Sequence, residues 1–438
     1  MTHPTRLHRC RRGLLAALAA FGLGVALPSP AAAQTATGAP VAAPVAQGLS
    51  AEGSTRISEW LRAEVAAKKI PGAVLMIWRG GKPVYAQAVG QRDPALPAPM
   101  SMDDIFRIYS MSKPIVSVAA MMLVEEGRID LDAPVAKYIP AFAQLKVGVE
   151  KSGPLGQKTL ELVDAQRTMS VRDLMRHTSG LTYGFFGSGL VKQAYRVSNL
   201  ELGRDTDNAE FAERIARLPL AYEPGTTWDY SVSTDILGRI VEVASGQPLA
   251  AFLKARLFDP LGMKDTSFTV PEPDRQARIA EPLPGDGIVP GAALFDPRRP
   301  AAFQSGGGGL LSTAPDYARF LLMLQGGGQL DGRRYLSEAT LKAMTRDQLG
   351  PQTVRTALYL PGADYGFGLG FAVRVQPAKG RDSAVGEYYW GGAGGTYMWV
   401  DPANDLFVVY MMQSPKQRVP HRAALRELVY GAVVDAKP

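Results

Sequence analysis

Ser110 and Lys113 stand three apart in Tyr109-Ser110-Met111-Ser112-Lys113, and on a helix that spacing brings two side chains to the same face. A serine hydroxyl is a poor nucleophile near neutral pH. An adjacent amine that is partly desolvated, or that activates another group, helps to remove its proton. No other Ser-x-x-Lys occurs in the chain, yet about one match is expected by chance, so the pair alone is a weak signal. The flanking residues add context. Pro114 sits where a first helical turn accepts proline, and the helix is predicted to start close to Met111. Ile115, Val118, Ala119, Met122 and Leu123 form its buried face, and Gly127 is its expected C-cap. Ser110 then lies at the positive end of a buried helix, which favours negative charge developing on a nucleophile or an oxyanion.

The rest of the chain sets the compartment and the excluded classes. At 438 residues, 46% hydrophobic and 20% charged, it can bury a substantial core. Arg6, Arg9, Arg11 and Arg12 precede an apolar run from Leu14 to Leu27, followed by Ala31-Ala32-Ala33 and Gln34. That is the order of a cleaved secretory signal, so residues 1–33 are expected to be removed after Ala33, leaving an exported, periplasmic or secreted protein without stable membrane insertion. The run is short for a bilayer span and ends in Pro28 and Pro30. Because this segment holds four arginines and no acid, its loss lowers the formal charge from +7 to +3. No basic stripe remains for a nucleic acid. Cys10, the one cysteine, leaves with the signal, as do His3 and His8; only His177 and His421 stay.

Residues 34–50 are Ala, Pro, Thr and Gly with few large apolar side chains and read as a flexible leader to a domain over 51–438. Ile57, Trp60, Leu61 and Val65 repeat with helical spacing up to about Lys69. Ala73 to Trp78, Gly80-Gly81 and Val84 to Val89 read as a hairpin. Between roughly 131 and 300 the patterns are helical or loop-like (Ser170 to Arg176, Ala209 to Arg217, Ser233 to Ser245, Leu249 to Leu257), with almost no strand signal before a Pro-rich connector over Pro271 to Pro300. Thr313 and Pro315 open a further helix. Strands are predicted at Phe367 to Val375, Glu387 to Gly391, Tyr397 to Asp401 and Leu406 to Met412, with a closing helix from Arg422 to Val434. The fold class is α/β in the α+β sense: an antiparallel sheet made by both chain ends, flanked by helices, with a mainly helical lobe inserted at roughly 131–300.

Three pieces occur in an informative order: Ser110/Lys113, then Trp228-Asp229-Tyr230-Ser231-Val232, then Trp390-Gly391-Gly392-Ala393-Gly394. Together they resemble the serine beta-lactamase and penicillin-binding-protein signature of Ser-x-x-Lys, a Tyr- or Ser-x-Asn element, and Lys-Thr-Gly on a strand. The chain after the leader is most similar to the family VIII carboxylesterases, which share the class C beta-lactamase fold. Arg176-His177-Thr178-Ser179-Gly180-Leu181-Thr182-Tyr183-Gly184, Glu223-Pro224-Gly225 and Gly306 to Thr313 extend the likeness. The resemblance implies a beta-lactamase/transpeptidase-like fold and Ser110 as the acylated nucleophile. Tyr230 would act with Lys113 in proton transfer, the N–H groups of Ser110 and Ala393 would form the oxyanion hole, and neither metal nor cofactor is required. Whether Lys113 or Tyr230 takes the first proton stays open.

Two departures bear on substrate. Val232 replaces the asparagine that would bond a substrate amide, and Trp390 replaces the lysine that would face a substrate carboxylate, substituting an aromatic surface. Together with Tyr183, Gly391 and Gly392 these positions are expected to contact a neutral, partly apolar small-molecule ester of short to medium acyl chain. A beta-lactamase or D-amino-acid peptidase on the same fold, and a catalytically silent sensor, are the alternatives. Lys151-Ser152-Gly153 mimics Lys-Thr-Gly but precedes the tyrosine element and lacks a flanking strand pattern. His177 reads as structural, and with no Gly-x-Ser-x-Gly anywhere a Ser-His-Asp hydrolase is poorly supported. Gly306 to Gly309 lack the Lys-Ser/Thr of a phosphate loop and read as a turn.

Overall fold

A computed structural model describes residues 48–200, 205–288, 294–377 and 383–434. The expected signal, its cleavage point and nearly all of the leader lie outside them. Leu49 does not: it is buried and bridges Val433, and Ser50 caps the first helix by accepting from Gly53 N, so ordered structure begins just before the boundary expected at 51.

In chain order, α1 (Ala51–Ala66) leads to β1 (Gly72–Arg79), β2 (Lys82–Asp93) and the short β3 (Ala98–Pro99) and β4 (Phe106–Arg107), then α2 (Ser112–Glu125). The inserted lobe holds a hairpin of β5 (Lys146–Ser152) and β6 (Lys158–Asp164), then α3 (Val171–Met175), α4 (Leu190–Ser198), α5 (Asn208–Ala216), β7 (Thr227–Trp228), α6 (Ser233–Ser245), α7 (Leu249–Leu253) and the short α8 (Asp259–Leu261) and α9 (Pro273–Gln276). The chain returns through β8 (Leu311–Ser312), α10 (Ala314–Gln325), a small hairpin of β9 (Gln329–Leu330) and β10 (Arg333–Arg334), α11 (Glu338–Met344) and β11 (Val354–Arg355). It closes with β12 (Tyr365–Phe367), β13 (Ala372–Arg374), β14 (Tyr388–Gly391), β15 (Tyr397–Asp401), β16 (Leu406–Met412) and α12 (Arg418–Ala432).

The main sheet has eight antiparallel strands in the order β12-β13-β14-β15-β16-β1-β2-β3. Its closing pair joins the chain ends, with Ala73 opposite Met412 and Arg79 opposite Leu406. Both strands read as continuous apolar runs because both faces are covered. Val74, Met76, Val409 and Met411 face the core shared with α2 and α10, while Leu75, Ile77, Val408 and Tyr410 face α1 and α12. Three expectations need correction. The single strand predicted over Phe367 to Val375 is two strands, because Gly370 takes φ +98° and turns the chain back on itself. The lobe has strands where almost none were predicted: β5 and β6 form a largely exposed hairpin whose lysines pair across it with acids, so its two-sided polar pattern hides the period-two signal. The helix α4 was missed altogether.

Among the described residues no single helix is long and apolar enough to cross a membrane. The rear layer is tied by His421 on α12, whose Nε2 lies 3.0 Å from Glu64 Oε2 on α1 and whose Nδ1 lies 2.9 Å from the Tyr410 hydroxyl. Burial holds this imidazole below its ordinary range against the opposing pull of Glu64. A depressed folded-state value means that the unfolded chain binds more protons once pH drops below about 6.5, so stability must fall on acidification, by at most about 1.4 kcal/mol per pH unit for this group. Denaturant unfolding at pH 7 and pH 5.5 should show the loss, and His421→Gln, though less stable at pH 7, should show a shallower pH slope.

Candidate active site

Ser110 is carried on a strained approach. Strand β4 pairs with β8, and Ile108 N donates to Leu310 O at 3.1 Å. Tyr109 then adopts φ +44°, a left-handed conformation costly for an aromatic residue. A one-turn 3-10 helix over Tyr109–Met111 presents half-buried Ser110 before α2 begins at Ser112, one residue after the expected start. Tyr317 on α10 donates its hydroxyl proton to Met111 O at 2.9 Å, which fixes the junction.

Lys113 is 1% exposed. Its amine donates to Gly307 O at 2.6 Å, to the Tyr183 hydroxyl at 3.3 Å and to Ser110 Oγ at 3.4 Å. Three acceptors match the three N–H donors of an ammonium. The amine also lies 4.5 Å from the centroid of the Tyr230 ring. Behind Gly307, the buried Asp235 carboxylate accepts from Gly307 N at 3.0 Å and from Ser305 Oγ at 2.5 Å. Burial pushes the Asp235 carboxyl up, and the positive charge of Lys113 opposes that shift. The run Gly306 to Gly309 is thus a turn, as expected, and it also supplies an acceptor to the amine. A Cβ at position 306 would come within 2.5 Å of Thr234 O.

Tyr230 follows β7, which pairs in parallel with β11. Asp229 just before it is buried and bonded to Lys192 Nζ on α4 at 2.9 Å and to the Thr182 hydroxyl at 2.6 Å. The Tyr230 hydroxyl accepts from Trp390 Nε1 at 3.2 Å. No hydrogen bond joins it to Ser110 or Lys113 among the described residues; the phenol that bonds the amine is Tyr183. His177 is structural: its Nδ1 lies 3.1 Å from Ser231 Oγ, and burial, followed by the charge of Lys113, holds the ring well below its ordinary range.

Two expected substrate contacts need correction. Trp390 is 4% and Val232 1% exposed, so neither offers much surface to a ligand. Trp390 instead spends its N–H on Tyr230, and Val232 packs at the start of α6. The exposed aromatic surface is Phe185, 42% exposed and stacked 4.8 Å from Tyr183, with Phe186 packed edge-on to Tyr230 at 5.7 Å. The run Tyr183-Gly184-Phe185-Phe186 is its sequence signal. The turn after β14 lies against the segment leading to Ser110: Thr396 Oγ1 donates to Ile108 O at 3.2 Å, and a Cβ at Gly394 would come within 2.9 Å of the Tyr109 ring. Ala393 is half-buried in this turn. Lys151 and Ser152 belong to β5, so a strand does carry that Lys-Ser-Gly, but Lys151 pairs with Glu161 on the exposed hairpin.

A cavity of about 560 Å³ lined by Asp132, Arg167, Arg172, Arg176 and Glu223 contains none of the expected site residues. Among the described residues no three His, Cys, Asp or Glu side chains come together as a metal site. The buried Lys192–Asp229 pair gives a test of how the tyrosine segment is held. Lys192→Met strands a buried carboxylate and should cost about 3–5 kcal/mol of stability, whereas Lys192→Met with Asp229→Asn should recover part of it; chemical denaturation of the parent and both variants measures this.

Residues 57–431 match the family described as Beta-lactamase. Esterase EstB of Burkholderia gladioli is 36% identical over 384 residues, covering 83% of this chain and 91% of its own. Lovastatin esterase of Penicillium rubens is 30% identical, covering 81% and 91%. The solved structure of EstCE1, described as a hydrolase with promiscuous acyltransferase activity, superposes with a TM-score of 0.69 at 24% identity, over 87% of this chain and 99% of that one. The expected beta-lactamase/transpeptidase-like fold is therefore the observed one, and the chain belongs to the beta-lactamase family, on the side of it that includes the family VIII esterases.

Proposed function

We propose that the protein is a serine carboxylesterase that cleaves short- to medium-chain acyl esters through an acyl-enzyme on Ser110. The observation that carries this reading is the buried Lys113 amine, held 3.4 Å from Ser110 Oγ and 4.5 Å from the Tyr230 ring. Ser110 Oγ attacks the ester carbonyl and its proton passes to the Lys113–Tyr230 pair, which returns it to the departing alcohol oxygen. Water repeats both steps on the acyl-enzyme. The Tyr230 hydroxyl accepts from the Trp390 N–H and its ring lies against the Lys113 amine, so Trp390 acts on the proton carrier rather than on the substrate. The N–H groups of Ser110 and Ala393 receive the oxyanion, each contribution being about 3 kcal/mol.

The substrate class follows from what surrounds the serine. Phe185 and Phe186 offer apolar surface, and no lysine stands at position 390 to meet a carboxylate. The named esterases among the relatives support the same chemistry. Export through the N-terminal segment belongs to this reading, and N-terminal sequencing of the mature protein should begin at Gln34.

The decisive assay compares p-nitrophenyl butyrate, nitrocefin and a D-alanyl-D-alanine peptide on one preparation. Ester turnover should dominate. Ser110→Ala should abolish it, and Tyr230→Phe should lower kcat by about 10²–10⁴ with the protein still folded. Nitrocefin turnover exceeding ester turnover would instead assign a beta-lactamase, and full activity in Ser110→Ala would overturn the mechanism.

A further inference from the structure

Arg422 on α12 is a half-buried guanidinium with no carboxylate at ion-pair distance among the described residues. Its charge goes to backbone carbonyls: Nη2 donates to Gly392 O at 2.9 Å and more weakly to Thr396 O at 3.4 Å, and the group lies 5.2 Å over the Tyr397 ring. We propose that Arg422 is a positioning residue of the oxyanion hole, turning the Gly392–Ala393 peptide so that Ala393 N–H faces the nucleophile.

The geometry has three parts. First, side chains alternate along β14: a Cβ at Gly392 would meet Ile108 O at 2.4 Å, on the side of Ser110, whereas a Cβ at Gly391 would meet Arg422 Nη2 at 2.3 Å on the rear. Arg422 therefore grips the segment from the face opposite the nucleophile, and Gly391 is the residue that lets it approach. Second, Gly392 O accepts from both Arg422 Nη2 and Gly395 N, the latter at 3.2 Å. In a trans peptide the C=O and the following N–H point in opposite directions. Fixing this carbonyl toward Arg422 and the turn thus directs Ala393 N–H outward from the sheet edge. Strand β13 pairs with β14 only at Tyr388 and Tyr389 and leaves that edge open. Third, a charged donor on a carbonyl makes a stronger bond than a neutral one and polarises the peptide, which makes its N–H a better donor. Both carbonyls are met by the one nitrogen Nη2, so a lysine could keep the charge on Gly392 O but not the planar group over the Tyr397 ring.

The inference rests on the serine-esterase reading, and the test separates the two. Parent, Ser110→Ala, Arg422→Met, Arg422→Lys and Gly391→Ala are compared for kcat and KM with p-nitrophenyl butyrate, for inhibition by phenylboronic acid, whose serine adduct carries a tetrahedral oxyanion, and for thermal midpoint. Rates are expressed per active site titrated with a fluorophosphonate. Arg422→Met should lower kcat about tenfold, less than outright loss of an oxyanion donor, with KM changed less than threefold and boronic acid binding weakened in parallel. Arg422→Lys should fall between Met and parent. Gly391→Ala, which displaces the guanidinium without removing it, should shift the same two quantities, so the test stands even if Arg422→Met fails to fold. Variants with kcat per active site within twofold of parent, or with lowered kcat but unchanged boronic acid affinity, overturn the positioning role. Activity surviving in Ser110→Ala overturns the underlying reading instead.

Discussion

An ammonium removed from water is tolerable only where oxygens replace the water it lost, and the site is built around meeting that condition for Lys113. Its three acceptors come from three distant parts of the chain: the Ser110 turn, the Tyr183 loop and the Gly306 to Gly309 turn. The last is held in place by Asp235 through Gly307 N. One buried charge therefore requires the helix α2, the lobe and the returning segment to be in register together. Burial first, and this charge second, hold the neighbouring His177 below its ordinary range, and the amine sits against the ring of Tyr230. Site and fold are not separable here, because displacing any acceptor leaves a buried donor unsatisfied.

The sheet provides the second constraint. Its faces are covered by different helices, and the end of β14 is where the two systems meet. On one face Trp390 reaches Tyr230, and on the other Gly391 admits Arg422. Alternate residues of this strand thus serve different neighbours, with Trp390 placed as a donor to the Tyr230 hydroxyl.

Much of this was legible in the residues. Ser233 to Ser245 coincides with its helix because its period matches one buried face, and Tyr397 to Asp401 and Leu406 to Met412 coincide with their strands because short apolar runs are buried on both faces. The closeness of Ser110 and Lys113 was likewise readable from their spacing. What was hidden depends on contacts between distant segments. Lys192 and Asp229 look like ordinary surface charges until α4 packs beside β7. Asp235 is one acid in a helical first turn until Ser305 and Gly307 enclose it. Trp390 and Val232 were read as ligand surface because a motif gives position but not burial. The hairpin β5–β6 escaped because neither of its faces is consistently apolar.

The central claim is that an acyl group passes through Ser110. Rapid quenching of the protein with a slowly deacylating ester, followed by peptide mapping by mass spectrometry, tests it directly. The account predicts the acyl mass on the peptide containing Ser110, appearing at least as fast as product and absent from Ser110→Ala. Steady ester turnover with no adduct on that peptide, or with the adduct on another residue, would contradict it.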